Sequence, residues 1–160
     1  MRQTFTINLS TDAITREVLA VAALNNIMDN NLGDKIAILT PDQKPALVRQ
    51  AQASLGNILL HLLPHIASCN INDELPADGS EHLFRIEVYL DSDATSSDIA
   101  TLRHSIEHTI ALDTLCVCYM GRDEAMSNRY QALAMAALND IRRLVDKTSG
   151  QRSVRVMNWI

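Results

Sequence analysis

Apolar residues in this chain recur with two different periods, and the order in which those periods follow one another restricts the folds open to it. From Thr4 to Leu9 they alternate, with Phe5, Ile7 and Leu9 on one side and Thr4, Thr6 and Asn8 on the other. That is the pattern of a half-buried strand. Phe84, Ile86, Val88 and Leu90 alternate in the same way with Arg85, Glu87 and Tyr89, and make the clearest strand of the sequence. Elsewhere the spacing is three and four, the repeat of an amphipathic helix.

Four helices are expected. The first follows the candidate caps Ser10, Thr11 and Asp12. It carries Ile14, Val18, Val21 or Ala22, and Leu24 or Ile27 out to about Met28, and ends in the polar run Asp29 to Asp34. The second starts between Thr40 and Pro45, where Thr40, Pro41 and Gln43 form a capping-box pattern. Pro45 favours a firm start at that residue. Its stripe is Leu47, Ala51, Leu55, Ile58 or Leu59, Leu62 and Ile66, with Pro64 loosening the end. Residues 68–80, with Asn70, Asn72, Pro76 and Gly79, read as the longest loop. The third helix is capped by Thr95 and Asp98 and runs from about Ser97 to Met120 over Ile99, Leu102, Ile106, Ile110, Leu115, Val117 and Cys118, with Gly121 as its stop. The fourth runs from about Arg122 to Lys147 over Met126, Tyr130, Leu133, Ala137, Ile141 and Leu144 or Val145. Ala132, Ala134, Ala136 and Ala137 are small enough for another helix to approach closely. After a break at residues 148–150, Ser153 to Ile160 reads as a last strand.

The order is strand, helix, helix, strand, helix, helix, strand, which suggests an approximate duplication. The fold class is mainly α (α+β): a four-helix layer with a small sheet of two or three short strands. The 160 residues fit one domain, and 47% apolar residues suffice for a core without disulfides or metal. Short strands leave exposed edges that invite another chain.

Charge and composition narrow the partners. A formal net charge of −5 argues against a broad nucleic-acid footprint, and 4% aromatics against base-stacking platforms. Sequence-specific nucleic-acid binding is not expected. No apolar run approaches the roughly 20 residues that span a bilayer, and the N-terminus lacks the apolar core of a signal segment, so no membrane partner and a cytoplasmic location are expected. The three cysteines are an odd number. Cys116 and Cys118 sit in an apolar stretch and cannot face each other on a helix, which suits buried free thiols in a reducing compartment.

Few constellations carry chemistry. His104-Ser105-Ile106-Glu107-His108 matches the H-x-x-E-H pattern, in which two histidines hold zinc and the glutamate acts as base; a small metal-dependent hydrolase is the enzymatic alternative. Its placement opposes this, because His104 lies two residues from both Leu102 and Ile106 and points away from the core. His61 and His65 are also four apart, and joining them to His104 and His108 would need two helices to turn opposite faces together. Cys116 and His108 are eight residues apart on one helix, about 12 Å, too far for a nucleophile and its base. No phosphate-binding loop, dinucleotide fingerprint or nucleophile elbow is present. No catalytic residue, cofactor or metal is expected, and the chain reads as non-enzymatic.

The C-terminal portion carries the interface candidates. Arg142, Arg143, Lys147, Arg152 and Arg155 bias it to positive charge, either for an acidic partner or as ordinary complement to a helix end. Val156, Met157, Trp159 and Ile160 make an apolar chain end with the single tryptophan. Such an end docks on its own core or adds to a neighbouring subunit. Arg142, Arg143, Arg152, Arg155, Val156, Trp159 and Ile160 are therefore the expected interface residues.

Asn128-Arg129-Tyr130-Gln131-Ala132-Leu133, leading into Leu138-Asn139-Asp140-Ile141-Arg142-Arg143-Leu144, resembles the last helix of small head–tail connector or neck proteins of tailed phages and prophages. The resemblance covers roughly residues 46–150. The N-terminal strand, the Trp159 end and the loop 68–80 depart from it. It implies a ring-forming structural subunit, a homo-oligomer that binds other phage structural proteins and resides in the virion. A monomeric helical adaptor with an apolar groove between helices is the further alternative.

Overall fold

A computed structural model of the chain describes residues 2–29 and 39–148. In chain order the elements are β1 (Arg2–Ser10), α1 (Thr11–Asp29), α2 (Lys44–Leu62), β2 (Ile66–Cys69), β3 (Leu83–Asp91), α3 (Ser96–Tyr119) and α4 (Glu124–Thr148). The described residues thus form four helices and a three-stranded antiparallel sheet in the order β1-β3-β2. The mainly helical α+β class read from the periodicities is the class observed.

The alternation decides the faces of the sheet. Thr6 pairs with Glu87 and Ile7 with Ile86 in an unbroken β1–β3 register from Arg2↔Asp91 to Ser10↔Leu83. Ile7, Leu9, Phe84, Ile86, Val88 and Leu90 are buried, with Phe5 packed beside them. Thr4, Thr6, Asn8, Arg85 and Tyr89 are exposed on the other side. The sheet therefore has one helix-covered face and one polar face, as an antiparallel sheet permits.

α3 is the central element. It packs on α1, α2, α4 and β1. From Ile106 to Cys116 nearly every residue is buried, including Thr109, Ala111 and Thr114. A helix apolar on one stripe would not need this; one surrounded by neighbours does. Its start is fixed as expected: Asp98 N–H donates to Thr95 Oγ1 at 3.2 Å, and Thr95 N–H donates to Asp98 Oδ2 at 2.9 Å. Its end is fixed by Gly121, whose φ of +76° turns the chain into α4.

α2 begins at Lys44 after a single 3-10 turn over Pro41–Gln43, so Pro41 opens the 3-10 turn and Pro45 lies in the first turn of α2, where a missing N–H costs little. Thr40 N–H donates to Gln43 Oε1 at 3.1 Å. Pro64 ends α2 in a second 3-10 turn, Leu63–His65.

Several expectations are corrected. Ile66 does not continue the α2 stripe; it opens β2, pairing with Val88. Only four residues long and irregular between Ile66 and Ser68, β2 offers too little alternation to be read. Its presence also breaks the apparent duplication. On α4 the buried apolar residues are Tyr130, Ala134, Leu138, Ile141 and Val145, while Leu133 is exposed. Ala134 faces inward, but Ala132 and Ala136 do not. On α1, Leu24 and Ile27 are exposed rather than buried. The loop after β2 is tied to its neighbours by side-chain hydrogen bonds. Gln52 donates to the carbonyl oxygens of Ile71 and Asp73, and Asn70 Oδ1 accepts Arg85 N–H at 2.6 Å. The polar run after Asp29, the break at residues 149–150 and the expected strand from Ser153 to Ile160 lie outside the described residues.

Candidate functional site

The H-x-x-E-H stretch lies in the middle of α3, and its three side chains diverge. His104 is exposed. Glu107, one helical turn on, is buried, and its Oε1 accepts the backbone N–H of Ser10 at 2.9 Å. His108 Nδ1 contacts Glu17 Oε1 on α1, with both side chains partly exposed. The carboxylate that would serve as base thus holds the β1–α1 junction instead. The same junction is tied to the start of β3: Thr11 N–H donates to His82 O at 3.1 Å, and His82 N–H donates to Thr11 Oγ1 at 2.9 Å. Ser10 Oγ donates to Glu81 Oε1 at 2.9 Å. Leaving a buried acceptor or donor of this kind unpaired costs about 1–3 kcal/mol, enough to explain why Glu107 is placed there.

The second pair of histidines joins α2 to α4. Arg142 Nη2 donates to His61 Nδ1 at 2.9 Å. His65, buried at the end of α2, has Nε2 3.2 Å from Asp146 Oδ1. These imidazoles and those of α3 engage separate partners, Arg142 and Asp146 for the first pair and Glu17 for His108. Among the described residues, no group of three or more His, Cys, Asp or Glu side chains is arranged to hold a metal ion.

The thiols are dispersed. Cys116 is buried, with Sγ 3.6 Å from Ser127 Oγ, and Ser127 Oγ donates to Cys116 O at 2.9 Å. Cys118 is half-buried, and burial pushes its thiol above the ordinary value, with Arg122 pulling weakly the other way. A thiol shifted upward is a poor nucleophile at neutral pH. Cys69 is exposed on β2, so the expectation of buried thiols holds for Cys116 in full and for Cys118 in part.

Depressions also lie among the described residues. A groove of about 810 Å³ runs between α2, at Arg49, Gln52 and Gly56, and the loop from Ile71 to Ala77. A smaller one of about 370 Å³ lies between the first turns of α2 and the end of α3, lined by Leu39, Leu47, Val117, Cys118, Met120 and Arg122. Nothing in the periodicities pointed to either, because each depends on how a loop or helix end sits against a neighbour.

Of the expected interface residues, Arg142 reaches His61, and Arg143 pairs with Asp140 at 3.3 Å on the exposed side of α4. Arg143 is left at the surface, while Arg142 fastens two helices. Arg152, Arg155, Val156, Trp159 and Ile160 lie outside the described residues. Within the stretch that carries the resemblance, Tyr130 is buried. It stacks on Tyr119 at 5.6 Å between ring centroids, and Asn25 Nδ2 donates to both hydroxyls. Among the described residues no helix is long and apolar enough to cross a membrane.

No protein-family model matches the chain, and neither do any curated protein or any solved structure.

Proposed function

We propose that this chain is a non-enzymatic assembly subunit that associates with copies of itself and with neighbouring structural proteins. The connector-type proteins of tailed phage particles are the setting in which such a part would serve. One observation carries the reading. The side chains with the greatest chemical potential are engaged in fastening secondary-structure elements to each other: Glu107 on Ser10, His108 on Glu17, His65 on Asp146 and Arg142 on His61. A second observation supports it. Leu24, Ile27 and Met28 at the end of α1, and Leu60 and Leu63 at the end of α2, are exposed by 59–78%. Exposed apolar side chains of this size, at each of two helix ends, are available for contact with another chain.

Sedimentation velocity of the purified chain over a dilution series tests the reading. A discrete oligomer that dissociates on dilution is expected. A monomer at every concentration overturns it. If the self-association is that of a phage connector, the chain is also recovered in purified particles.

The apolar groove between α2 and α3 favours a second reading, a monomeric helical adaptor that takes a small apolar ligand or peptide segment between Leu47 and Val117. The same experiment separates the two, because the adaptor is a stable monomer.

A further inference from the structure

The two edges of the sheet differ in a way that assigns them different roles. The β2 edge is four residues long and interrupted by a register shift, two devices that stop a sheet from growing. The β1 edge has neither. It is nine residues long, its register is unbroken, and it contains no proline, no lysine and no charged residue after Arg2. Thr4, Phe5, Thr6 and Ile7 favour extended backbone. Among the described residues no strand pairs with its outer side. A long, unbroken edge whose one charge sits at its first residue is a template for another strand.

We infer that the outer edge of β1 is the seam of a two-fold dimer, in which β1 of one copy pairs antiparallel with β1 of a second. The inference rests on the self-association proposed above and names its surface. The strand is complementary to itself about its midpoint, Thr6. With Thr6 opposite the partner's Thr6, Phe5 faces the partner's Ile7 on the helix-covered side. Thr4 faces the partner's Asn8 on the polar side. Both are favourable cross-strand pairs, and no like charges meet. Charge complementarity selects a second copy over an unrelated strand. Arg2, exposed at one end, falls opposite the partner's Ser10. In each chain Ser10 Oγ is bonded to Glu81 at 2.9 Å, so each guanidinium comes up to a carboxylate. The two-fold axis makes this contact twice. The product is a continuous six-stranded antiparallel sheet with all its helices on one side.

A charge-swap experiment tests the seam. Thr6 is exposed and lies beside Glu87 of its own sheet, so Thr6→Lys leaves the folded monomer intact while setting two cations against each other across the axis. Thr6→Glu sets two anions there. Each variant alone is expected to sediment as a monomer at concentrations where the parent is a dimer, and an equimolar mixture of the two is expected to restore the dimer. Thermal melts confirm that both are folded. Arg2→Glu, at the strand's end, supplies a second variant if either substitution at Thr6 unfolds the chain, and is expected to weaken dimerisation at least tenfold. Association unaffected by these changes overturns the seam but leaves self-association standing on another surface. Folded variants that remain monomeric when mixed also overturn it. A parent chain that is monomeric throughout removes both the seam and the assembly reading.

Discussion

Glu107, in the middle of α3, accepts the backbone N–H of Ser10, 97 positions earlier in the chain, at 2.9 Å. This bond pins the corner where β1 turns into α1 against the central helix. It is expected to matter for stability rather than chemistry. Glu107→Ala leaves the Ser10 N–H unpaired at a part-buried site and should lower unfolding free energy by about 1–3 kcal/mol in urea titrations. Glu107→Gln keeps an acceptor oxygen and should recover most of that loss. His104→Ala, at an exposed position, should change stability by less than about 0.5 kcal/mol.

The inward face of α4 can be tested by a pair of truncations. Leu138 is 4% exposed and Leu133 43%. Leu138→Ala should cost about 2–4 kcal/mol by emptying space against α3, whereas Leu133→Ala should cost well under about 1 kcal/mol. Equal losses would mean that the helix is rotated relative to α3.

Two glycines separate strain from crowding. Gly121 has a φ of +76° with nothing near the position of a Cβ, and Gly79 has a φ of +69° with Pro45 atoms 3.0–3.2 Å from that position. Gly121→Ala should cost about 1 kcal/mol from the left-handed backbone alone. Gly79→Ala should cost more, because the loop must also shift off the start of α2. Thermal or urea unfolding of the two variants side by side gives the order.

The cap of α3 sets an acid response. Hydrogen bonds from the side chain and backbone N–H of Thr95 hold the Asp98 carboxyl below its ordinary value of 3.8. A carboxyl depressed in the folded state adds stability above its unfolded value and loses it as pH falls below that value through the folded one. Helix α3 should therefore weaken as the pH drops below 3.8. In urea midpoints measured against pH, Asp98→Asn should flatten that part of the decline and leave the profile above pH 5 parallel to the parent.

Much of this fold was legible because its elements obey simple periods. The strands around Ile7 and Ile86 and the caps Thr95 and Gly121 all declare themselves locally. β2 did not, since four residues cannot show an alternation and Ile66 also fits the helical spacing that precedes it. The faces of α4 were misjudged at Leu133 because a helix packed mainly against one neighbour buries a narrow stripe, and alanines at 132, 134, 136 and 137, spread around the helix, blur it. The burial of Glu107 was hidden for a different reason. Its partner is a backbone N–H far away in sequence, which no pattern of residue types reveals. The exposure of His104 was readable from its offset to Leu102 and Ile106.

The central claim is that the polar side chains resembling a catalytic set are fastened into the structure. Calorimetric titration of zinc into the full chain tests it most directly. No saturable one-to-one binding is predicted, and His104→Ala should give the same trace as the parent. Stoichiometric binding that disappears in His104→Ala would contradict the claim, since it would require His108 to leave Glu17 for an ion.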